Sequence, residues 1–447
     1  MERSPLRLDT LLLLLMVAIH GVNNTLYLGP PAVLLAGIYL ALDLGFRSPH
    51  PRVAPWLFRI RLALATLAIL FLAVLPLATL VAFRVLGEPG SDLFVTTRTI
   101  HDGALQTEAA VRFLLEGRNP YVDSYAQTLV ARYPMWEEFQ LNFNPAIYHY
   151  VYLPVTFMAS IPFYLASQGF LGWYDQRIAY GLLFFLLLWL LPLMAREPAH
   201  KLGAAITVGL NPLMMGFLPV GLAAGINDYF VLSLVVLAVV LWRRGRLSLS
   251  AAAMALALAS KQTAWFALPL WGILVWHSAR QSTSPWAMMR PLIVLVLLST
   301  MLILPFVLWS PGDFWDDTIS YLSGSLATSF PIKGFGLSGI LLAAGILPSS
   351  RAYFPFWVFQ LLLGVPALLY AGWRLYQRGS LREFWFGYSI LLFAVNYTSR
   401  YFHTNHLGYI VALLFLGFLA DDRPPEHSQT RNGKSAFGRW PAGLPSQ

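Results

Sequence analysis

The acid, the lysine and the arginine that interrupt or border the apolar runs of this chain are its first candidates for chemistry. Asp102 lies near the start of the longest polar interval, whose first stretch is 99–121. An ionised carboxylate there can take a proton from a hydroxyl, which is the work of a general base. It can equally serve the backbone. Thr99 and Asp102 fit the Ser/Thr-x-x-Asp/Glu capping pattern ahead of a helix in which Leu105, Ala109 and Phe113 share one face. Local pattern leaves both readings open. Glu108, Arg112 and Glu116, spaced by four, read as a solvated salt-bridge stripe, and Gly117-Arg-Asn-Pro-Tyr121 as the helix stop.

Lys261 sits inside an apolar run at 249–276 with no acid within a helical turn. A lysine at mid-bilayer costs about 2.5–3.5 kcal/mol on insertion scales. Two half-length helices meeting at Ser260-Lys-Gln-Thr263 avoid that cost by opening into a polar site. The side chain then either snorkels or clamps a phosphate. Arg400, His403 and His406, spaced by three, could hold an anion or a metal, although outer interfacial residues need no such role. Asn227-Asp228 precedes an apolar helix and suits its N-terminal cap.

The elements that must position these groups are membrane helices. Of 447 residues 57% are hydrophobic and only 11% charged, against about 25% charged in soluble domains. Aromatics at 15%, with fifteen Trp, suit interfacial anchoring. Cysteine is absent, which excludes disulfides, thiolate catalysis and thiolate metal sites. The net charge of +9 lies in short loops beside apolar runs, so it reads as topogenic charge facing an anionic leaflet rather than as a nucleic-acid surface. Runs near spanning length occur at 6–22, 26–46, 60–86, 178–195, 202–220, 226–242, 291–309, 355–373, 384–398 and 407–419. The first lacks a signal-peptidase site and reads as a retained helix.

Arg47, Arg52, Arg59 and Arg61 mark their linker as cytoplasmic, which puts the N-terminus inside and the loop 87–177 outside. Arg243, Arg244 and Arg246 mark another cytoplasmic stop, and counting back from it puts 225–228 and 172–177 outside. A crossing by 147–170 would break that parity. The segment contains Pro154 and Pro162 and is crowded with Tyr148, Tyr150, Tyr152 and Tyr164. It is therefore expected to lie along or re-enter the outer leaflet; the alternative is a true crossing balanced by a later weak segment. The expected fold is an all-α polytopic membrane protein of roughly 10–12 transmembrane helices, with juxtamembrane helices in a long first extracytoplasmic loop. Two N-terminal helices (1–59) precede the main module (60–420), and 421–447 reads as a disordered cytoplasmic tail. With this topology Asp102, Asn227, Asp228, Lys261, Lys333, Arg400, His403 and His406 all fall at the outer face.

Asp102, Gly117 and Asn119-Pro120-Tyr121 together resemble the first-loop signature of polyprenol-phosphate-mannose-dependent mannosyltransferases of the GT-C superfamily. Asn144-Pro145-Ala-Ile-Tyr148 with Leu153-Pro154, Gly225-Ile-Asn227-Asp228, and Ala259-Ser-Lys261-Gln-Thr263 are similar to that family's later motifs, in the same order. The resemblance covers about two fifths of the chain. Gln262 stands where proline is usual, Gln106 where tyrosine is usual, and two extra helices come first. The resemblance implies a GT-C-like fold and an inverting transfer of a sugar, mannose by the nearest branch, from a polyprenyl-phosphate donor to a lipid or glycan acceptor. It implies Asp102 as base, Lys261 and then Arg400 at the donor phosphate, and Asn119, Tyr121, Asn227, Asp228, His403 and His406 as substrate-binding residues. No cofactor is implied, a divalent metal has no support in the sequence, and nucleic acid is not an expected partner; membrane lipids are. A transporter or flippase of a lipid-linked sugar, and a glycan polymerase or ligase, are the competing classes.

Overall fold

The computed structural model describes residues 6–23, 29–47, 49–87, 100–133, 144–215, 221–280 and 286–421. Thr99 and the tail after Asp421 lie outside the described residues, as do 88–99 and 134–143 of the first loop. The chain is almost wholly helical. Its longer helices are α1 (Leu8–Asn23), α2 (Gly29–Gly45), α3 (Ala54–Leu86), α4 (Asp102–Leu115), α5 (Ile161–Leu171), α6 (Arg177–Met194), α7 (Pro198–Gly209), α8 (Asp228–Arg243), α9 (Leu247–Leu258), α10 (Leu268–Ala279), α11 (Trp286–Trp309), α12 (Phe356–Arg378), α13 (Leu381–Tyr397) and α14 (Thr404–Leu419). The strand pairing among the described residues is one short parallel bridge, β1 (Lys333–Gly334) with β2 (Tyr401–Phe402).

Four helices among the described residues, Ala54–Leu86, Arg177–Met194, Met289–Trp309 and Phe356–Arg378, are long and apolar enough to cross a membrane. Leu8–His20, Gly29–Gly45, Val155–Leu171, Leu247–Leu258 and Thr404–Leu419 are apolar but shorter. The outward side chains of α11 and α12 are large and apolar: Met301 is 74% exposed and Leu369 67%. A water-facing surface of that kind would be a liability, and a lipid-facing one is not. The fold is thus that of a helical protein with membrane-suited helices.

Ionic clusters set helix positions inside this apolar body. Arg61 on α3 pairs with Asp9 on α1 at 2.7 Å, and Thr10 donates to Asp43 on α2 at 2.8 Å. The first helix is therefore tied to both the second and the third. A second cluster ties α3, α4 and α6 together. Arg84 forks onto Glu108 with two bonds of 2.7 Å, Arg84 also meets Asp175 at 2.8 Å, and Asp175 meets Arg177 at 2.7 Å. This corrects the reading of Glu108 as part of a solvated stripe. Glu108 is buried, and it also accepts the Gln176 amide at 2.8 Å. Nearly all of α4 is enclosed, with Arg112 as its exposed flank.

The expected interruption at 260–263 is present. Helix α9 stops at Leu258, a 3-10 stretch runs over Gln262–Ala267, and α10 starts at Leu268 with a proline in its first turn. A broken helix leaves carbonyls that must find donors. Those of Ala259 and Ser260 accept the Val155 amide (2.8 Å), the Leu153 amide (3.1 Å) and the Thr156 hydroxyl (2.7 Å). The donors come from the proline-broken segment expected to re-enter. It is no continuous helix: a 3-10 turn (Pro145–Ile147), an extended stretch, Val155–Met158 and α5 follow one another, and left-handed Gly172 ends α5. The strap and the break stabilise each other.

Candidate active site

The strap, the break at 259–263, the start of α4 and the turn before α14 enclose a cavity of about 900 Å³. Asp102, His101, Lys261, Arg400, His403 and His406 all line it. Three segments far apart in sequence therefore bring these polar groups to one space.

Asp102 is the first residue of α4, and the N-cap is His101 rather than Thr99. The capping pattern expected from the sequence thus gives way to a helix that begins at Asp102. The carboxylate is 6% exposed. Its Oδ1 accepts the Gly103 amide at 2.8 Å and lies 2.8 Å from His101 Nδ1, while Oδ2 has no partner among the described residues. Burial alone would push this carboxyl up; His101 and the Gly103 amide outweigh it, and the net direction is down. Asp102 is ionised with one oxygen free. The backbone beneath it is fixed, because the His101 amide donates to the Ala224 carbonyl at 2.7 Å. Gly225 in that turn has φ +91°, and a Cβ there would sit 2.9 Å from Ala104 Cβ and 3.0 Å from Arg177 Cγ. Gly225 is needed so that the turn can approach α4.

Lys261 is paired. Its Nζ donates to Asp228 Oδ1 at 2.6 Å and to Asn227 Oδ1 at 3.0 Å, and Asn405 Nδ2 donates to Asp228 Oδ2 at 2.7 Å. Asn227 occupies the N-cap position of α8 but makes no side-chain capping bond, so the expected cap is replaced by a contact with the lysine. Both oxygens of Asp228 are engaged, which leaves Asp102, among the described residues, as the carboxylate with a vacant acceptor on the cavity. Asn227 and Asp228 do not line the cavity; they stand behind Lys261.

Arg400 is 4% exposed and has no carboxylate partner among the described residues. It donates instead to three carbonyls, Phe330 (Nε, 2.9 Å), Ala352 (Nη1, 2.8 Å) and Ser350 (Nη2, 3.2 Å). Burial lowers its pKa to about 10. Three of its five N–H groups are used, and two remain. The β1–β2 bridge carries Lys333 to the same turn. His403 and His406 divide differently from the spacing argument: His406 Nδ1 accepts the His403 amide at 3.2 Å and so caps α14. Burial, with His406, Lys333 and His101 nearby, pushes His403 down to about 3 and keeps it neutral.

Asn119 and Tyr121 are not brought to the cavity. Asn119 Oδ1 accepts the Tyr121 amide at 3.0 Å, and Tyr121 is buried among Tyr150, Phe157, Phe306 and Phe314. Its hydroxyl donates to the carbonyl of Tyr152, itself a cavity residue, at 2.9 Å. Gln106 donates to the Ala146 and His149 carbonyls at 2.7 Å each and stitches α4 to the strap.

The cavity residues that the sequence did not single out include His101, Tyr133 and Tyr321. Only His101 carried a signal, its adjacency to Asp102. A further pair was also missed outside the cavity lining. His149 Nδ1 lies 2.7 Å from Asp317 Oδ1, and the Tyr150 amide donates to Asp317 Oδ2 at 2.8 Å, joining the strap to the loop after α11.

No protein-family model matches the chain, and no curated protein matches it in sequence.

Proposed function

We propose that the protein is an integral-membrane inverting glycosyltransferase that moves a sugar, mannose by the resemblance, from a polyprenyl-phosphate donor to a lipid or glycan acceptor at the extracytoplasmic surface. The observation that carries the reading is one cavity lined by an ionised carboxylate and a buried guanidinium which, among the described residues, have respectively a vacant oxygen and no carboxylate partner. Those two groups suit the two halves of the transfer. Asp102 Oδ2 takes the acceptor hydroxyl proton as that oxygen bonds to the anomeric carbon. The bond from that carbon to the phosphate oxygen breaks, and its electron pair leaves with the phosphate. A leaving phosphate needs fixed positive charge and no general acid. Arg400 supplies that charge. Lys261, held by Asp228, adds N–H donor capacity more than net charge. Phe266, Trp357, Leu392 and Val395, on the apolar side of the cavity, suit an isoprenoid chain.

In this reading the membrane holds roughly 10–12 helices, several of them half-length. Both termini are cytoplasmic, 60–420 is the GT-C-like module, and His403 and His406 contact substrate. The test is transfer by the purified protein from a panel of radiolabelled polyprenyl-phosphate sugars into a lipid extract. Labelled product from one donor supports the reading. Movement of the donor across vesicles with no transfer from any donor replaces it with the transporter, the class a charged residue at a broken helix also suits.

A further inference from the structure

We infer that His101 is the positioning residue for Asp102, holding Oδ1 through its Nδ1 proton so that Oδ2 alone is presented to the acceptor. The inference rests on the glycosyltransferase reading for its kinetic consequences, but the contact itself does not.

The ordinary role for His101 is the N-cap, with Nδ1 accepting the Gly103 amide at 3.1 Å. Nδ1 cannot be a hydrogen-bond acceptor and a donor at once. The Gly103 amide has a nearer acceptor, Asp102 Oδ1 at 2.8 Å, so the cap is satisfied without the imidazole. Nδ1 and Oδ1 are also 2.8 Å apart. Two lone pairs would repel at that distance, so a proton lies between them. With Asp102 ionised, that proton is on Nδ1 and the bond is charge-assisted. A carboxylate orienting an imidazole through Nδ1–H is a familiar arrangement; here the imidazole orients the carboxylate. Nε2 has no partner among the described residues, and the ring leans on Tyr133 with centroids 6.3 Å apart. The ring is also the more open of the two, with side-chain exposure of 22% against 9% for Asp102. The proton balance is simple: the acceptor proton moves to Oδ2, the Nδ1–H stays in place, and the carboxylic acid releases its proton once product leaves.

The test uses His101→Asn, His101→Gln and His101→Ala in the full-length protein. Asparagine puts an amide N–H where Nδ1 was; glutamine puts it where Nε2 was. Removing an orienting partner typically costs about 10–100-fold. We expect His101→Ala and His101→Gln to lose about that much kcat with donor KM within about twofold, and His101→Asn to stay within about fivefold of wild type. The acid limb of kcat/KM should move to higher pH in His101→Ala, because the proton that favoured ionised Asp102 is gone, and return toward wild type in His101→Asn. Equal loss in all three variants with an unmoved acid limb would overturn the inference, as would full activity of His101→Ala. A readout independent of transfer is carbodiimide labelling of Asp102 across pH, followed by mass spectrometry. Protonated carboxyls react, so labelling should persist to higher pH in His101→Ala than in wild type. Coincident labelling curves would sink the positioning role. A wild type that transfers nothing but shows displaced curves would sink the glycosyltransferase and leave the pair standing.

Discussion

Replacing Lys261 with methionine should destabilise the protein and stop transfer, and a second change at Asp228 should repair only the first defect. The lysine Nζ is 2.6 Å from Asp228 Oδ1. At an effective dielectric of about 20, that separation corresponds to an attraction of about 6 kcal/mol. Removing two ions from water costs several kcal/mol each, so the intact pair is close to neutral in net terms. Breaking it on one side is different. Methionine keeps the stem's bulk but strands a carboxylate that is 3% exposed, held among the described residues by Asn405 and the start of α8. That strands about 3–5 kcal/mol. Lys261→Met/Asp228→Asn removes the stranded charge and should recover more than half of the loss. The assay is thermal unfolding in detergent by size-exclusion fluorescence, run beside donor transfer. A Lys261→Met melting point equal to wild type would refute the reasoning, as would a double variant that melts below the single one.

Two other outcomes follow from contacts around the cavity. Gly103→Ala would drive a Cβ into the Tyr152 hydroxyl. Overpacking of that order costs about 1–3 kcal/mol, so transfer should fall with a modest drop in melting temperature, and Tyr152→Phe in the same background should restore part of both; no change in either measurement would show that the strap yields freely. The Asp317 carboxyl is pushed up to about 6, chiefly by burial, with Asp313 adding to it and His149 and the Tyr150 amide opposing. A raised folded-state pKa makes the protonated form the stabilising one. The contribution is full below the ordinary carboxyl pKa of about 3.9, is lost as pH rises through about 6, and amounts to about 3 kcal/mol. Asp317→Asn should flatten that part of the melting-temperature profile between pH 4 and 7, roughly speaking; an unchanged slope would rule it out.

Legibility from sequence divides by the range of each interaction. The break at 260–263 was readable because a lysine in a long apolar run is costly unless the helix opens. Its counter-ion was not, because Asp228 is 33 residues away and meets Lys261 only through tertiary packing. Glu108 was misread for a related reason. Spacing by four describes a solvated stripe and a buried network equally well, and Arg84 lies 24 residues upstream on another helix. The segment 147–170 showed its prolines and tyrosines plainly, yet nothing local said that its amides would cap the end of α9. Asn119-Pro120-Tyr121 was readable as a motif but not as part of the aromatic core in which it sits. The gathering of Asp102, Lys261, Arg400, His403 and His406 at one cavity could be anticipated from side-counting, because charge placement along the chain fixes which helix ends share a face.

The most direct measurement is single-turnover transfer by wild type and Asp102→Asn, with donor affinity measured on the same preparations. Asparagine keeps the shape and still accepts the Gly103 amide, but it cannot take a proton. Wild type should transfer a sugar from a polyprenyl-phosphate donor, and Asp102→Asn should be slower by about 10²–10⁴-fold with donor affinity unchanged. An Asp102→Asn protein that transfers at the wild-type rate would contradict the assignment of this carboxylate as the base.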